Sequence, residues 1–326
     1  ALHLFGEWPH VAVVEDIHLV VLSPMLTEAP YRCLRKLRRI IMNYSNIPVF
    51  HTLIVNDDLH EELNRICPFV GIERLRQHMC QESHNWQRDC YVMRLDKRGY
   101  FMHIDRQILL DIVLQALDRM SRHRIAKGHR LTWSEWIDID FVKWLSREII
   151  MLDPKKNCRI VGTVADWEGL DHSKSLFYTM DGCGLPIGNL TSQLLSNVYL
   201  NEFDQFMKRV LHCKHYGRYV DDSFVVSHDR DWLLSLVPSI REFLRDRLHL
   251  ELHMGKLHVT KARQGAEFLG GYIKPHTTYI SNQSLRRMKV SIDAMNLHNP
   301  QKTWASVCSF LGVLSHYDSY NIRSQL

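Results

Sequence analysis

No Cys-x-x-Cys pair and no framework spacing occurs among the eight cysteines, Cys33, Cys67, Cys80, Cys90, Cys158, Cys183, Cys213 and Cys308. That absence excludes a disulfide scaffold and leaves free thiols, as expected of a reducing cytosol. A long apolar run is lacking too. The opening stretch Val11–Leu22 carries Glu15, Asp16 and His18, so it neither spans a bilayer nor forms a clean signal core. No membrane role is expected. His60-Glu-Glu-Leu-Asn64 lacks the second histidine that a zinc-protease helix requires, which removes zinc there. Charge of one sign is also scarce: 41 Lys and Arg stand against 36 Asp and Glu, for a net charge of +5. This is only a mild hint of a polyanionic partner.

What is present is core material. Hydrophobic residues make up 45% and charged residues 24% of 326, the balance of a globular protein with two or three packed subdomains. The chain opens on Ala1 with no methionine, which points to a natural N-terminus further upstream. In residues 1–90 the run Tyr31–Ile41 places Leu34, Leu37 and Ile41 on one helical stripe and Arg32, Arg35, Lys36, Arg38 and Arg39 largely off it. A solvated basic face is the plainer reading and phosphate binding the alternative. From Tyr91 the pattern sharpens. Tyr91–Leu95 reads as a short apolar strand ending at Asp96, followed by a turn through Tyr100 and Phe101. Asp105 reads as the N-cap of a helix to about Met120, with Ile108, Leu109, Ile112, Val113 and Leu117 inward.

Residues 121–180 form a basic, Trp-rich connection with a helix expected over about Trp136–Met151. Trp133, Trp136, Trp144 and Trp167 read as core in preference to base-stacking platforms. Gly182, Gly184 and Gly188 punctuate a turn ahead of a helix expected over Leu190–Val210. Further on come a helix over about Trp232–Arg247, an alternating strand Leu248–His253, strands Glu267–Ile273 and Thr277–Ile280, and helices from Ser284. His249, His253 and His258 read as a polar strand face, not zinc ligands.

Between these lies Gly217-Arg-Tyr-Val-Asp-Asp-Ser-Phe-Val-Val-Ser227, read as a hairpin whose turn presents Asp221 and Asp222. By itself an Asp-Asp turn is more often solvated than metal-binding. Its company changes that. A strand-end Asp96 with an aromatic five residues on, a Gly-Leu-Pro-x-Gly turn before a helix and an acid-acid hairpin occur in one order. Phosphoryl transfer by two magnesium ions needs carboxylates from separate strands to bridge metals about 3.5–4 Å apart.

With these motifs, residues 91–326 resemble the palm of the reverse transcriptases, in the group II intron and retron-like branch. The resemblance implies that Asp96 and Asp221 hold two Mg²⁺ ions, with Asp222 supporting and Mn²⁺ as an alternative metal. It implies that Phe101, beside Tyr100, is a steric gate against a 2′-hydroxyl, and that Lys256 protonates the leaving pyrophosphate. Phe268-Leu269-Gly270 resembles the primer grip, and Pro186, Ile187, Gly188 and Gln193 would line the nascent base pair. Ile187, where many members have Gln, and the run Ile187-Gly-Asn-Leu-Thr-Ser-Gln193 resemble diversity-generating retroelement reverse transcriptases. So do Asn157–Ile160, Ser173–Tyr178 and Lys214–Tyr219. Lys97 follows Asp96 where an apolar residue is commoner, and its ammonium is placed to pair with a carboxylate and weaken metal binding.

The implied fold is α+β: a right-hand polymerase with divergent fingers in residues 1–90, a palm on an antiparallel sheet in 91–280 that includes the connection 121–180, and a short helical thumb in 281–326. Arg65, Arg74 and Arg76, with the Arg32–Arg39 cluster, are the candidates for gripping a triphosphate in the fingers. The implied activity is error-prone copying, at template adenines, of a template-repeat RNA into cDNA. Its partners are template RNA, a DNA or RNA primer, dNTPs and a small basic accessory protein, in a bacterial or phage-encoded cytoplasmic setting. A retron or phage-defence reverse transcriptase is the nearest alternative, and a non-catalytic RNA-binding relic the alternative of another class.

Overall fold

The computed structural model describes residues 57–124, 130–156, 175–187, 189–293 and 300–324, with 158, 169 and 172 singly. The Arg32–Arg39 cluster, Trp167 and Gly188 lie outside the described residues, as do the side chains of His60–Asn64 and Arg65. The chain forms helices and two antiparallel sheets, gathered in two compact units.

One unit comprises Asn56–Leu95, Cys213–Val237 and Met254–Leu326. It begins with the long helix α1 (Asp57–Glu82) and strand β1 (Tyr91–Leu95), which starts and stops where the apolar run does. The hairpin strands β2 (His215–Tyr219) and β3 (Asp222–Ser227) and a later strand β4 (His258–Lys261) complete a four-stranded sheet, ordered β2-β3-β1-β4. Val92, Met93 and Leu95 on β1 and Phe224, Val225 and Val226 on β3 are all buried. Central strands covered on both faces need continuous apolar runs in place of alternation.

A second sheet stacks β5 (Ala266–Phe268), β6 (Gly271–Lys274) and β7 (Thr277–Ile280) in sequence order. Glu267–Ile273 is therefore two strands, not the single one expected. Leu269 and Gly270 both have positive φ, 48° and 81°, and form the two-residue turn that pairs Phe268 with Gly271. Ile72, Leu75 and Met79 of α1 share a core with Phe224, Phe268 and Ile273. Helices α8 (Asn282–Asp293), α9 (Pro300–Leu314) and α10 (Tyr320–Arg323) follow. Met288 and Leu314 join the same core, and Asp318 fixes the chain to β7 by bonds to both backbone groups of Thr278, each 2.8 Å.

The sheet leaves little room at Gly217 of β2. A Cβ there would lie 2.4 Å from the tip of the Phe224 ring, which itself meets Phe268 edge-on at 5.2 Å. Below the hairpin, Glu82 of α1 accepts hydrogen bonds from the His228 ring at 2.6 Å and its backbone N–H at 3.0 Å, and lies 3.2 Å from the His215 ring. Burial pushes the Glu82 carboxyl up, but the hydrogen bonds from His228, with His215 beside it, carry it below its ordinary value.

The other unit, among the described residues, comprises Asp96–His212 and Pro238–His253. It holds α2 (Tyr100–His103), α3 (Arg106–Ser121), α4 (Trp133–Trp136), α5 (Ile139–Met151), α6 (Leu190–Gln205) and the later part of α7 (Arg230–Leu248). Asp105 caps α3 as expected, accepting from Gln107 and Ile108 N–H; Leu110 joins Leu109 in the core, while Ile108, Ile112, Val113 and Leu117 are half-buried. The helix expected over about Trp136–Met151 begins at Ile139, because the Asp138 carboxylate accepts from Phe141 N–H at 2.9 Å and starts α5 there, after the separate short helix α4. Trp133 is fully buried, but Trp144 is 54% exposed. Helix α6 gives way to a π turn over Phe206–Val210. Leu248, Leu250 and Leu252 are buried in alternation with exposed His249 and Glu251, yet Leu248–His253 is no strand; Leu252 makes one isolated bridge, to Lys97.

Candidate active site

The hairpin is tighter than the expected turn, which presents both acids. Tyr219 pairs with Asp222, so Val220 and Asp221 alone form the loop and Asp222 is the first residue of β3. Val220 has φ of 52°, a conformation that is an outlier for a β-branched side chain. The Val220 carbonyl accepts a hydrogen bond from Nη1 of Arg218 at 2.7 Å, and Arg218 is only 3% exposed. Asp221 and Asp222 are half-buried.

Beside β3 runs β1, with Leu95 opposite Ser223. Chain connectivity therefore sets Asp96 one residue past Leu95 and Asp222 one residue before Ser223. The backbone at Asp96 and Arg98 is held by the segment Glu251–His253. His253 N–H donates to the Asp96 carbonyl at 2.8 Å and Arg98 N–H to the Glu251 carbonyl at 2.9 Å. The alternating segment thus clamps the backbone of Asp96–Arg98 instead of extending a sheet. Lys97, between these bonds, is 2% exposed, with its ammonium 4.9 Å from the centre of the Phe203 ring, a cation–π contact.

The aromatic pair and the glycine turn come together. Leu185 N–H donates to the Phe101 carbonyl, Gly184 N–H to that of Ile104 and Arg106 N–H to that of Gly182, at 2.9, 2.9 and 3.0 Å. Gly184, at φ of 90°, could not carry a Cβ without approaching Leu176 to 2.8 Å. Tyr100 is buried beneath, its hydroxyl donating to the Ser196 carbonyl at 2.6 Å and its ring edge-on to Phe101 at 5.2 Å. Tyr100 therefore supports Phe101 from the core, and the Phe101 ring is the half-buried one of the two. Burial raises the Cys183 thiol in this turn, with the Asp105 carboxylate adding to it. Ile187 is 68% exposed. Gln193 lies in the first turn of α6, its carbonyl accepting from Ser196 and Asn197 side chains.

Lys256 is exposed at the end of a 3-10 turn, Met254–Lys256, just ahead of β4. Phe268 is a buried core ring, so at the grip motif the Leu269–Gly270 turn, not that ring, offers surface; Ser281 N–H anchors the Gly270 carbonyl at 2.8 Å. Among the described residues no group of three or more His, Cys, Asp or Glu stands at metal-ligating spacing. Magnesium is commonly held by one or two carboxylates and completed by substrate phosphates; aspartate oxygens at strand ends are donors of that kind. Sequence reasoning missed Arg218 and the Glu251–His253 clamp. Both act on backbone carbonyls, for which no side-chain pattern stands.

Residues 33–273 match the family model described as reverse transcriptase (RNA-dependent DNA polymerase). No curated protein sequence matches the chain. Among solved structures, apo telomerase from Candida tropicalis truncated from its C-terminal domain is similar at 12% identity and a TM-score of 0.48, over 86% of this chain and 51% of that one. Telomerase from Candida albicans, in complex with a TWJ fragment of telomeric RNA, is similar at 8% identity and a TM-score of 0.42, over 88% and 49%. The chain thus spans about half the length of these structures.

Proposed function

Because the chain belongs to the reverse transcriptase (RNA-dependent DNA polymerase) family, we propose that it is an RNA-directed DNA polymerase, a nucleotidyltransferase of the diversity-generating retroelement type. The observation that carries the polymerase reading is the strand register. It sets the Tyr-Val-Asp-Asp hairpin on β2 and β3 directly beside the strand that leads into Asp96. In this reading residues 91–280 are the palm, 281–326 the thumb and 1–90 the fingers.

Asp96 and Asp221, with Asp222 supporting, would hold two Mg²⁺ ions; bound there, they neutralise charge on the primer oxygen and the triphosphate. Phe101, fixed through its carbonyl and by Tyr100 behind it, packs against the deoxyribose and rejects a 2′-hydroxyl. Lys256 gives a proton to the leaving pyrophosphate. The Leu269–Gly270 turn touches the primer end. Partners in this reading are template RNA, primer, dNTPs and a small basic accessory protein.

The finer type rests on Ile187 and the run to Gln193. An exposed apolar side chain beside the nascent pair cannot make the hydrogen bond an amide would, so mispair geometry is policed less strictly. The test is to sequence cDNA made from a defined RNA template, by the wild type and by Ile187→Gln, with the accessory protein supplied. Errors concentrated at template adenines, and reduced in I187Q, are expected. Uniformly low error would favour the retron or phage-defence reading, and unchanged adenine errors in I187Q would remove the role given to Ile187.

A further inference from the structure

We infer that Arg218 is a positioning residue for Asp221: its guanidinium holds the Val220–Asp221 peptide in a conformation that Val220 does not adopt unaided. The inference rests on the reading of Asp221 as a metal-holding carboxylate, but its structural half stands on the hairpin itself. A two-residue hairpin loop needs positive φ at its first central position, which is why glycine or asparagine is usual there. Here that position is valine. Among the described non-glycine residues with positive φ, Val220 is the only β-branched one, and β-branched side chains crowd the backbone most in that region.

Arg218 lies two residues upstream on β2, opposite Ser223. Its side chain is almost wholly buried, and a charged donor at 2.7 Å is in the range of the stronger, charge-assisted hydrogen bonds. The acceptor is what matters. The Val220 carbonyl belongs to the peptide plane whose other end is Asp221 N–H, so holding that oxygen fixes both the ψ angle of Val220 and the departure of the Asp221 side chain. The bond is made to the carbonyl of the one described β-branched residue that holds a positive φ. Valine stiffens the turn and Arg218 selects its state; together they aim the carboxylate without a flexible glycine beneath it.

A double-mutant cycle tests this. Arg218→Lys, which keeps the charge but loses the planar fork, and Arg218→Gln are each made with Val220 and with Val220→Gly, since glycine adopts positive φ without a clamp. Two quantities are read in the full chain: the Mg²⁺ concentration at half-maximal primer extension, beside the KM for dNTP, and the urea midpoint of unfolding. With Val220 present, each Arg218 substitution should raise the Mg²⁺ requirement roughly tenfold or more, the size of losing one charged hydrogen bond, with the KM for dNTP little changed. In the V220G background the same substitutions should cost less than about threefold, and their effects on the urea midpoint should shrink likewise, as expected of coupled neighbours. Equal penalties in both backgrounds would overturn the inference, as would failure of both Arg218 variants to fold in either background. If the wild type extends no primer, the functional reading falls, and the urea cycle alone still decides whether Arg218 and Val220 act together.

Discussion

Gly217→Ala probes the packing on which the β2–β3 hairpin stands. The new Cβ would lie 2.4, 2.7 and 3.2 Å from three atoms of the Phe224 ring, where carbon contacts are comfortable only at about 3.5–4.0 Å. The ring must therefore retreat by about 1 Å or more, and it has nowhere to go. It is 2% exposed, edge-on to Phe268 at 5.2 Å and 5.8 Å from the His78 ring. Overpacking of a filled core costs about 1–3 kcal/mol, and disturbing the Phe224–Phe268 pair adds about 0.5–1.5 kcal/mol. Gly217 does not have positive φ, so alanine incurs no left-handed strain and recovers about 0.5–1 kcal/mol of backbone entropy in a strand. A net loss of about 2 kcal/mol results, read as a lower urea midpoint by circular dichroism. Because Phe224 stands two residues after Asp222, primer extension should fall as well. Phe224→Leu removes the ring tip, and in that background G217A should cost less than about 0.5 kcal/mol, a coupling typical of residues in contact. If G217A costs the same beside Phe224 and beside leucine, the close approach is not what requires glycine.

If Phe101 packs against the deoxyribose as proposed, Phe101→Val should raise ribonucleotide incorporation relative to dNTP by about tenfold or more, measured by single-nucleotide extension; unchanged discrimination would remove Phe101 from that role. Tyr100→Phe deletes the hydroxyl that donates to Ser196 and should cost about 1 kcal/mol of stability, with a smaller effect on discrimination than F101V. Glu82 supplies a pH test. Its folded-state carboxyl lies below its ordinary value of 4.5, which burial alone would raise, because His228 hydrogen bonds to it. It therefore contributes stability that is complete above pH 4.5 and lost as pH falls through the lower, folded value. E82Q should lower stability near neutrality and flatten the acid limb of an unfolding series; an unaltered acid limb would assign that limb to other groups.

Much of the frame was legible because local chemistry and tertiary context agree. Tyr91–Leu95 reads as a strand from its apolar run, Asp105 as a cap from its place before Ile108 and Leu109, and the β2–β3 hairpin from two β-forming runs around Asp221. Elsewhere they diverge. Glu267–Ile273 looks like one strand because nothing in Phe-Leu-Gly-Gly announces that Leu269 takes a left-handed turn. His258–Lys261 is short and polar enough to hide as β4, though it borders β1. Leu248–His253 keeps its period-two burial without a ladder, since alternation reports which side chains are covered and not what the backbone meets. Of the candidate site, the acids, aromatics and glycines were readable as residue types. The clamps on the Asp96 and Val220 carbonyls were not, because backbone acceptors leave no mark in a sequence.

The most direct measurement is primer extension on an RNA template by the full chain, with dNTPs, Mg²⁺ and the accessory protein, comparing the wild type with Asp221→Asn and with Asp96→Asn. Full-length cDNA is expected from the wild type and a loss of about 10²–10³-fold in both variants, as when a charge-stabilising group leaves a catalytic centre, with their urea midpoints close to that of the wild type. No cDNA from a folded wild type, or undiminished synthesis by folded D221N, would contradict the polymerase reading.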